Sequence, residues 1–403
     1  MSVRTPEIET MPREDIKKLQ SERLVWQVKR MYERVECFRN RMDEKGLKPE
    51  YIQGIEDLPK LPFSYKKDLR DYYPYGLFAE PMSNIRRVHA SSGTTGKRIV
   101  VGYTDNDLGM WAECVARMLN GIGLGKDDII QVSFGYGLFT GGFGLHAGAE
   151  RIGATVIPMS SGNTALQIQT LIDFKATAIC CTPSYAMYLA EEAARLGVID
   201  QLSLKVGIFG AEPWSENMRR EIENTLHIKA YDIYGLSEIM GPGVACECEC
   251  QNGMHVWEDN FIVEIIDPDT GEQLPDGSTG ELVFTSITKE GFPVIRYRTR
   301  DICSLNYEKC ECGRTHVRMN KPSGRSDDML IIRGVNVFPS QIEGVLLEFN
   351  SGEITPNYII TVDRVNNTDT FDLDVEMSES MFSDDIKSIN VVEKRITEKL
   401  RSV

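Results

Sequence analysis

Five short apolar runs alternate with helical stretches between Thr104 and Ile233, and this alternation constrains the fold more than any other feature of the sequence. The runs of strand character are IIQVSF (129–134), ATVIPM (154–159), TAICCT (177–182), KVGIFG (205–210) and KAYDIY (229–234). Segments such as SYAMYLAEEAARLG and EPWSENMRREIENTL lie between them and predict helices. Strands that alternate with helices form βαβ units around a largely parallel sheet. The sequence therefore predicts an α/β fold whose ligands bind beyond the carboxyl ends of the strands.

The segments on either side of this region have a different texture. Upstream, LVWQVKRMYERVECFRNRM has apolar residues at helical spacing and predicts one helix. Downstream, extended runs from His255 to Leu305 are separated by the turn signals PDTGE and PDGSTG, which indicates a β-rich subdomain. A polar stretch at Gly324–Asp328 precedes a final β/α segment. We therefore predict a large domain over 1–326, with a β-rich subdomain at 246–316, and a small α+β lid over 327–403.

Composition excludes several classes of protein. The 403 residues are 41% apolar and 26% charged, which suits two or three folded domains rather than a disordered chain. A net charge of −15 argues against a nucleic acid or an anionic membrane as partner. No apolar run approaches the roughly 18 residues of a membrane helix, and no secretory signal opens the chain, so we expect a cytoplasmic protein. Its ten cysteines are then expected to be free or metal-bound rather than paired in disulfides.

A small-residue loop stands out in HASSGTTGKRIVVGYT, residues 89–104. Glycines and hydroxyl residues from Ser91 to Gly96 precede Lys97, and such a loop lets backbone amides, hydroxyls and an ammonium approach phosphate. The segment is not a Walker A loop, because Ser91 and Arg98 stand where that pattern needs glycine and Ser or Thr. Taken alone, the loop fits either a phosphate site or a surface turn.

The loop SSGTTGK resembles the phosphate loop of the adenylate-forming superfamily of acyl-CoA synthetases. Four further segments follow in the order of that superfamily: GAEPW (210–214), YDIYGLSEI (231–239), YRTRD (297–301) and GRSDDMLIIRGVNVFPSQIE (324–343). The segments LPKLPFSYKKDLRDYYPYGLFA, FGYGLFTGGFG and GVNVFPSQIE narrow the resemblance to the phenylacetate–CoA ligase family. The resemblance extends from about residue 15 nearly to the end of the chain.

The resemblance implies an enzyme that activates an arylacetic acid, foremost phenylacetate, with ATP and Mg²⁺. An acyl-adenylate forms with release of pyrophosphate, and the acyl group then passes to CoA. The implied catalytic residues are Lys97 in the phosphate loop, Glu238 as the Mg²⁺ ligand and Asp327 at the lid hinge. The implied nucleotide-binding residues are Ser92, Gly93, Thr94, Thr95, Gly96, Lys97, Gly210, Ala211, Glu212, Pro213, Asp232, Ile233, Tyr234, Gly235, Leu236, Ser237, Asp301 and Arg325.

Within this set the resemblance implies a separate task for each segment. Tyr234 stacks on adenine, with Glu212 and Asp232 nearby for polar contacts. Asp301 accepts hydrogen bonds from the ribose hydroxyls, and Arg325 contacts ribose or phosphate. Taken singly, each of these residues is more typical of core packing, of a solvated carboxylate or of a surface ion pair than of a nucleotide site. Only their joint order indicates a nucleotide site.

The arylacetate pocket is predicted at FGYGLFTGGFG, residues 134–144. Tyr136 and Phe139 provide aromatic walls, Gly141 and Gly142 leave room for a ring, and the resemblance adds Ala211 to the lining. Aromatic walls suit an aromatic substrate. The alternative is a tightly packed turn between a strand and a helix.

Six of the ten cysteines fall between Cys246 and Cys312, which suggests a metal site. CECECQNGMH (246–255) and KCECGRTH (309–316) together offer the four N and S ligands that structural zinc prefers. The resemblance, in which a cysteine and a histidine precede WED and a C-x-C pair precedes GRTH, favours Cys248, His255, Cys310 and Cys312 as the ligands, with Cys250 and His316 as substitutes. The alternative is a set of reduced thiols.

The family's tail carries a glycine-flanked lysine that serves adenylation, whereas this sequence ends at ITEKLRSV. We therefore expect slow adenylation of free acid and faster use of supplied acyl-adenylate. Two other functions stay open: a nucleotide-binding, catalytically weak remnant or regulator, and an adenylating enzyme that loads a carrier protein. The resemblance also suggests a homodimer.

Overall fold

The computed structural model describes residues 2–90, 98–326, 330–332, 335–337, 339–349, 352–365, 368–378, 381 and 386–401. The helices are α1 (Pro6–Glu9), α2 (Arg13–Arg34), α3 (Glu36–Glu44), α4 (Lys66–Asp71), α5 (Asp105–Gly121), α6 (Gly141–Arg151), α7 (Thr164–Asp173), α8 (Pro183–Arg195), α9 (Glu216–Leu226), α10 (Pro339–Leu346) and α11 (Ile386–Leu400). The strands are β1 (Arg87–Ala90), β2 (Val100–Tyr103), β3 (Ile129–Val132), β4 (Thr155–Ile157), β5 (Ala178–Cys181), β6 (Val206–Gly210), β7 (Lys229–Tyr234), β8 (Ala245–Glu247), β9 (Met254–Val256), β10 (Phe261–Ile266), β11 (Thr279–Ser286), β12 (Tyr297–Asn306), β13 (Arg318–Met319), β14 (Gly324–Arg325), β15 (Leu330–Ile332), β16 (Val335–Val337), β17 (Ile354–Val365) and β18 (Thr368–Met377).

The five predicted strands are present and form a parallel sheet in the order β4-β3-β5-β6-β7. β5 and β6 are buried throughout because helices cover both faces, which explains why they read as continuous apolar runs. The predicted α/β class is confirmed. The helix expected over 212–226 begins only at Glu216, where the Ser215 hydroxyl accepts a hydrogen bond from the Met218 amide at 3.1 Å. Residues 212–215 are thereby left as a loop at the carboxyl end of β6.

The β-rich region contains the expected strands, but they do not form a sheet of their own. β8 pairs antiparallel with β7 through Ile233 and Cys246, and the order continues through β9, β13, β12, β11 and β10. The result is one mixed sheet of 12 strands, in which β14 pairs with β12. The chain folds back after β7, so these strands extend the parallel sheet, while the β-rich subdomain at 246–316 and its bounds stay a prediction.

The single helix predicted over residues 24–42 is two helices, α2 and α3, separated at Val35. Val35 is extended (φ −113°, ψ 103°) and buried. The Arg39 guanidinium donates to the carbonyls of Tyr32 and Glu33, both at 3.2 Å, at the end of α2. Both helices keep their apolar faces on one core cluster because Val28, Phe38 and Val35 all pack there.

The lid has its own small core, formed where α10, α11 and the β17–β18 hairpin meet. Ile342, Val345, Ile354, Val392 and Ile396 are all buried in this cluster. The predicted small α+β lid is therefore present, while the exact boundary at 326/327 stays a prediction. Among the described residues, no helix is both long enough and apolar enough to cross a membrane.

Candidate functional site

A pocket of about 420 Å³ lies at the carboxyl ends of β6 and β7. The loop after β6 contributes Ala211, Glu212 and Pro213, and β7 with the following turn contributes residues 232–236. Asp301 on β12 and Arg325 on β14 close the pocket, so four of the predicted motifs meet in one place. A ligand at this edge of the sheet agrees with the rule for open parallel sheets.

Tyr234, Asp301 and Arg325 form a connected set on one wall of this pocket. The Tyr234 hydroxyl donates to Asp301 Oδ2 at 2.5 Å, and Arg325 Nη1 donates to Asp301 Oδ1 at 3.1 Å. The Tyr234 ring stacks on Phe284, with centroids 6.1 Å apart and planes 16° apart. Burial, followed by the Asp301 charge, raises the pKa of the Tyr234 phenol well above its ordinary value. The phenol therefore stays protonated and keeps the Asp301 carboxylate oriented.

Glu238 lies beyond this pocket, in a neighbouring pocket of about 410 Å³ that shares Leu236 and Arg325 with it. Its side chain is buried and accepts a hydrogen bond from the Tyr297 hydroxyl at 3.2 Å. The same pocket is lined by more cationic side chains, among them Lys66, Lys67 and Arg300, than acidic ones, which are Asp68 and Asp71 besides Glu238. That combination suits a polyanion together with a hard cation.

Ser237 and Gly210 have structural contacts that their motif positions alone do not indicate. The Ser237 hydroxyl pairs with the buried Thr140 hydroxyl at 3.1 Å, which joins this turn to the start of α6. A Cβ on Gly210 would lie 2.5 Å from the Ile233 carbonyl oxygen, so β6 and β7 approach closely only because glycine stands there. Both contacts join segments that border the pocket, and neither residue is among those that line it in the described part of the chain.

Asp232 is a buried carboxyl that lines the pocket of about 420 Å³ at the carboxyl ends of β6 and β7. Lys321 Nζ lies 3.5 Å from its Oδ2, and the Lys321 ammonium also donates to Glu216 at 3.0 Å. Burial raises the pKa of Asp232 to about 7, with Lys321 opposing the shift and Glu247 adding to it. The group thus changes charge near neutral pH inside the pocket.

Asp232→Asn is expected to stabilise the protein at pH 8 by at most about 4 kcal/mol. The folded-state pKa of about 7 exceeds the ordinary 3.8, so the native state disfavours ionisation and loses stability as pH rises from 4 to 7. The asparagine does not ionise and avoids that loss. Thermal unfolding at pH 8 and pH 4 measures the effect, and the difference between the two chains should vanish at pH 4. A variant less stable than the parent at pH 8 contradicts the argument.

Within the segment 134–144, where the arylacetate pocket is predicted, the structure brings Tyr136, Gly141 and Gly142 together. α6 begins at Gly141, and a Cβ on Gly142 would lie 3.1 Å from both the Gly135 carbonyl oxygen and the Tyr136 ring. The Tyr136 hydroxyl and His146 Nδ1 are 3.2 Å apart. The Phe139 side chain is 44% exposed. The turn therefore exposes the aromatic ring of Phe139, and Gly142 lets the start of α6 pack closely against Gly135 and Tyr136.

The structure does not describe the predicted phosphate loop or the predicted hinge residue. The phosphate-loop residues Ser92, Gly93, Thr94, Thr95, Gly96 and Lys97, and the hinge residue Asp327, lie outside the described residues. The strands β1 and β2 on either side of the loop pair antiparallel, with Ala90 opposite Val100. Pro339 and Glu343 of α10, in the lid, also line the pocket at the carboxyl ends of β6 and β7. Burial, then the Glu212 charge, raises the pKa of Glu343.

The four hypothesised metal ligands lie together and are all buried. One ligand atom from each of Cys248, His255, Cys310 and Cys312 falls within 4.8 Å of the others. The Sγ atoms of Cys248 and Cys310 are 3.8 Å apart, and Cys312 Sγ is 3.4 Å from His255 Nε2. Two sulfurs about 2.3 Å from a tetrahedral zinc lie roughly 3.8 Å apart, so the spacing fits that ion. The substitute Cys250 is only half-buried and lies at the edge of the cluster.

Residues around the four ligands orient them, and the sequence did not indicate these contacts. Arg314 Nη1 lies 3.5 Å from Cys312 Sγ, while its Nε donates to Glu9 at 2.7 Å. The His316 carbonyl lies 3.4 Å from His255 Nδ1, and its ring Nε2 is 3.1 Å from the Ile8 carbonyl. Hydrogen bonding with Cys248 and then His255 lowers the pKa of the Cys312 thiol, which favours the thiolate that metals bind. Glu9 and Arg314 are 305 residues apart in the sequence, so no local sequence pattern could predict their contact.

Comparison with known proteins gives a consistent result. The AMP-binding enzyme model matches residues 84–288, and the AMP-binding enzyme C-terminal domain matches residues 334–403. A phenylacetate–coenzyme A ligase of Thermus thermophilus is 53% identical over 393 residues, which are 96% of this chain and 88% of that protein. One of Escherichia coli is 52% identical over 93% of this chain and 85% of that protein. The solved structure of a 2-hydroxyisobutyryl-CoA ligase in the postadenylation state is 28% identical, with a TM-score of 0.89 over 98% of this chain and 85% of that one.

Proposed function

The chain belongs to the AMP-binding enzyme family and within it to the phenylacetate–CoA ligases, and we propose that it converts phenylacetate, ATP and CoA to phenylacetyl-CoA, AMP and pyrophosphate. The carboxylate oxygen of the acid attacks the α-phosphorus of ATP, and pyrophosphate leaves with the electron pair of the broken bond. The CoA thiol then attacks the acyl carbon, loses its proton and expels AMP. The observation that carries this proposal is the meeting of four motif segments in one pocket beside Glu238.

The nucleotide occupies the pocket between the loop after β6 and the turn after β7 in this proposal. Tyr234 stacks on adenine, and Asp301 accepts from the ribose hydroxyls. The bonds from Tyr234 and Arg325 support that role of Asp301 because they hold its carboxylate in one orientation before ATP arrives. Glu212 and Asp232 provide polar contacts to the base. The phosphate loop, including Lys97, contacts the phosphates.

Glu238 is proposed as the protein ligand of Mg²⁺. A buried carboxylate suits this ion, which prefers oxygen ligands, and the cationic side chains of the same pocket suit the phosphates that share the ion. When bound, the ion neutralises charge that develops on the phosphates during adenylation. Tyr297 holds the carboxylate through its hydroxyl.

Phenylacetate occupies the space beside the turn at residues 134–144 in this proposal, with Tyr136 and Phe139 against its ring. Gly141 and Gly142 leave room for that ring, and Ala211 borders the nucleotide side. An apolar slot rejects an added hydroxyl only weakly, so we expect hydroxyphenylacetates to compete with phenylacetate.

The test is thioester formation by the purified chain with ATP, Mg²⁺, CoA and a series of acids. The proposal expects phenylacetate to give the highest kcat/KM and acetate or long-chain acids to give little product. Pyrophosphate release measured without CoA reports the first step separately. CoA, pantetheine and a phosphopantetheine-bearing carrier protein are compared as acceptors, and preference for the carrier contradicts the proposal. ATP binding without pyrophosphate release or thioester formation likewise contradicts it.

We also propose that Cys248, His255, Cys310 and Cys312 hold one structural zinc ion. The donor set, its burial and the spacing of the ligand atoms support this assignment. Four protein ligands occupy all four coordination positions of a tetrahedral zinc ion and leave none for a substrate or water. The site is therefore proposed to stabilise the fold and not to take part in catalysis. Elemental analysis of protein purified without chelators is expected to find about one zinc per chain. A zinc content near zero, with the protein still folded, contradicts the assignment.

A further inference from the structure

The turn that follows Tyr234 is held by an unusual set of contacts. The amides of Ile239, Met240 and Gly241 all donate to the carbonyl of Leu236, at 3.1, 3.0 and 2.8 Å. A Cβ on Gly235 would lie 1.9 Å from the Gly241 carbonyl oxygen, so the turn closes on itself at two glycines. Glu238 lies within this closed turn. Its position therefore depends on what holds the turn from outside.

Four buried side chains, each from a different segment, donate to carbonyls of this turn. Lys289 Nζ donates to Ile239 at 2.9 Å and the Tyr103 hydroxyl to Met240 at 2.7 Å. The indole nitrogens of Trp111 and Trp257 donate to Pro242 at 2.9 Å and to Gly243 at 3.0 Å. Three of the donors are neutral, and only Lys289 is ionisable to a cation. That difference needs a reason, because a neutral donor would satisfy a carbonyl equally well.

Lys289 is fully buried and is held from both sides. Its side chain is 0% exposed, with the ammonium 4.7 Å from the Tyr103 ring centroid and 5.2 Å from that of Phe292. Gln27 donates to its backbone carbonyl at 2.8 Å, and Asp107 accepts from the amides of the next two residues. Burial lowers the pKa of Lys289 to about 8, and the charges of Asp107 and Glu238 oppose that shift. Burying the Lys289 ammonium therefore costs free energy, its position is fixed by the surrounding contacts, and the Glu238 carboxylate attracts it.

We propose that Lys289 is a positioning residue for Glu238, fixing the carbonyl one residue further along the chain and attracting the carboxylate itself. This inference rests on the proposed role of Glu238 as the Mg²⁺ ligand. Lys289 contacts no substrate in this arrangement and acts only through the turn. A metal ligand held in one orientation by surrounding residues binds its ion more tightly, and loss of such support commonly weakens binding by about 10- to 100-fold.

The test compares Lys289→Met with Tyr103→Phe, which removes the donor to the adjacent Met240 carbonyl without removing a cation. Binding of Mn²⁺ to the ATP-loaded protein is measured by electron paramagnetic resonance, and Mg²⁺ dependence by pyrophosphate release. Lys289→Met is expected to weaken Mn²⁺ binding and raise the half-saturating Mg²⁺ concentration by about tenfold or more. The KM for phenylacetate should stay within about twofold of the parent value, because the acid pocket is untouched. Tyr103→Phe should shift either metal value by less than about threefold.

A lysine that only stabilised the fold would change the Tm when replaced but not the metal dependence. Lys289→Met removes the cost of burying a cation but also removes the donor to the Ile239 carbonyl. Because these two effects oppose each other, we expect the Tm of Lys289→Met to stay within about 5 °C of the parent. A lower Tm with unchanged metal dependence, or equal metal shifts in both variants, overturns the inference. If Lys289→Met does not fold, Lys289→Gln, which keeps an amide donor but no charge, carries the same expectation.

Glu238→Gln separates this inference from the proposed function on which it rests. If Glu238→Gln abolishes Mn²⁺ binding while Lys289→Met leaves it unchanged, the role of Lys289 alone is wrong. If Glu238→Gln leaves Mn²⁺ binding unchanged, the metal-ligand assignment and the inference both fail. Weakened binding in both variants, with Tyr103→Phe near the parent value, supports the inference.

Discussion

Glu238→Gln is expected to slow acyl-adenylate formation by roughly 10²- to 10³-fold, the cost of losing several kcal/mol of charge stabilisation. The substitution keeps the shape of the side chain and can still accept from the Tyr297 hydroxyl, which lies 3.2 Å from Oε1. It removes the negative charge that a hard divalent cation needs. Pyrophosphate release from ATP and phenylacetate, in the absence of CoA, measures the effect directly.

Transfer from supplied phenylacetyl-adenylate to CoA is the internal control. That step releases AMP and no pyrophosphate, so Glu238→Gln should leave its rate within about threefold of the parent. Tyr297→Phe is the graded variant: it keeps the carboxylate but removes its hydrogen bond, and adenylation should fall by about 3- to 10-fold. Equal loss in both half-reactions of Glu238→Gln would assign the residue to general structure instead.

Cys312→Ser is expected to lower the Tm by on the order of 10 °C and to remove the bound zinc. Cys312 is central to the cluster, since its sulfur lies 3.4 Å from His255 Nε2 and 3.5 Å from the Arg314 guanidinium. Serine binds zinc poorly, and its loss as a ligand also leaves the buried Arg314–Glu9 pair beside a disrupted site. Thermal unfolding and elemental analysis on the same sample measure both consequences.

Cys250→Ser is the matched control, because Cys250 is half-buried and is not among the four ligands. It should keep its zinc and unfold within about 2 °C of the parent. A chelator should lower the Tm of the parent and of Cys250→Ser but not that of Cys312→Ser. Loss of zinc from Cys250→Ser, with retention in Cys248→Ser, would instead place the ion on the substitute ligand.

Much of the fold could be predicted because its signals are local. The runs at 178–181 and 206–210 are apolar throughout, and that pattern is typical of strands covered on both faces. The break at Val35 could not be predicted, because residues 24–42 keep helical spacing across it. The joining of the β-rich region to the parallel sheet was equally hidden, since strand pairing depends on partners distant in sequence, such as Arg318 and His255.

The candidate site divides in the same way. Motif order placed Tyr234, Glu238, Asp301 and Arg325 in one functional group, and the structure gathers them around adjoining pockets. Sequence reasoning missed Tyr297 as the partner of Glu238, although it opens the recognised YRTRD segment. It also missed Lys289, because a lysine between two strands usually marks an exposed hairpin turn. Only burial distinguishes this lysine, and burial is not a local property.

By itself, the sequence determined the family, the α/β class, the order of the chemical segments and the four cysteine and histidine positions that meet in the cluster. The α/β class follows from periodicity, whereas the family, the order of the segments and the ligand positions follow from motifs that resemble those of the family. The tertiary structure alone decided which charges are buried, which hydroxyl holds which carboxylate, and which side chains hold the turn around Glu238. Such contacts join residues that are distant in the chain, and their energies depend on exclusion of water, which no short segment of sequence specifies.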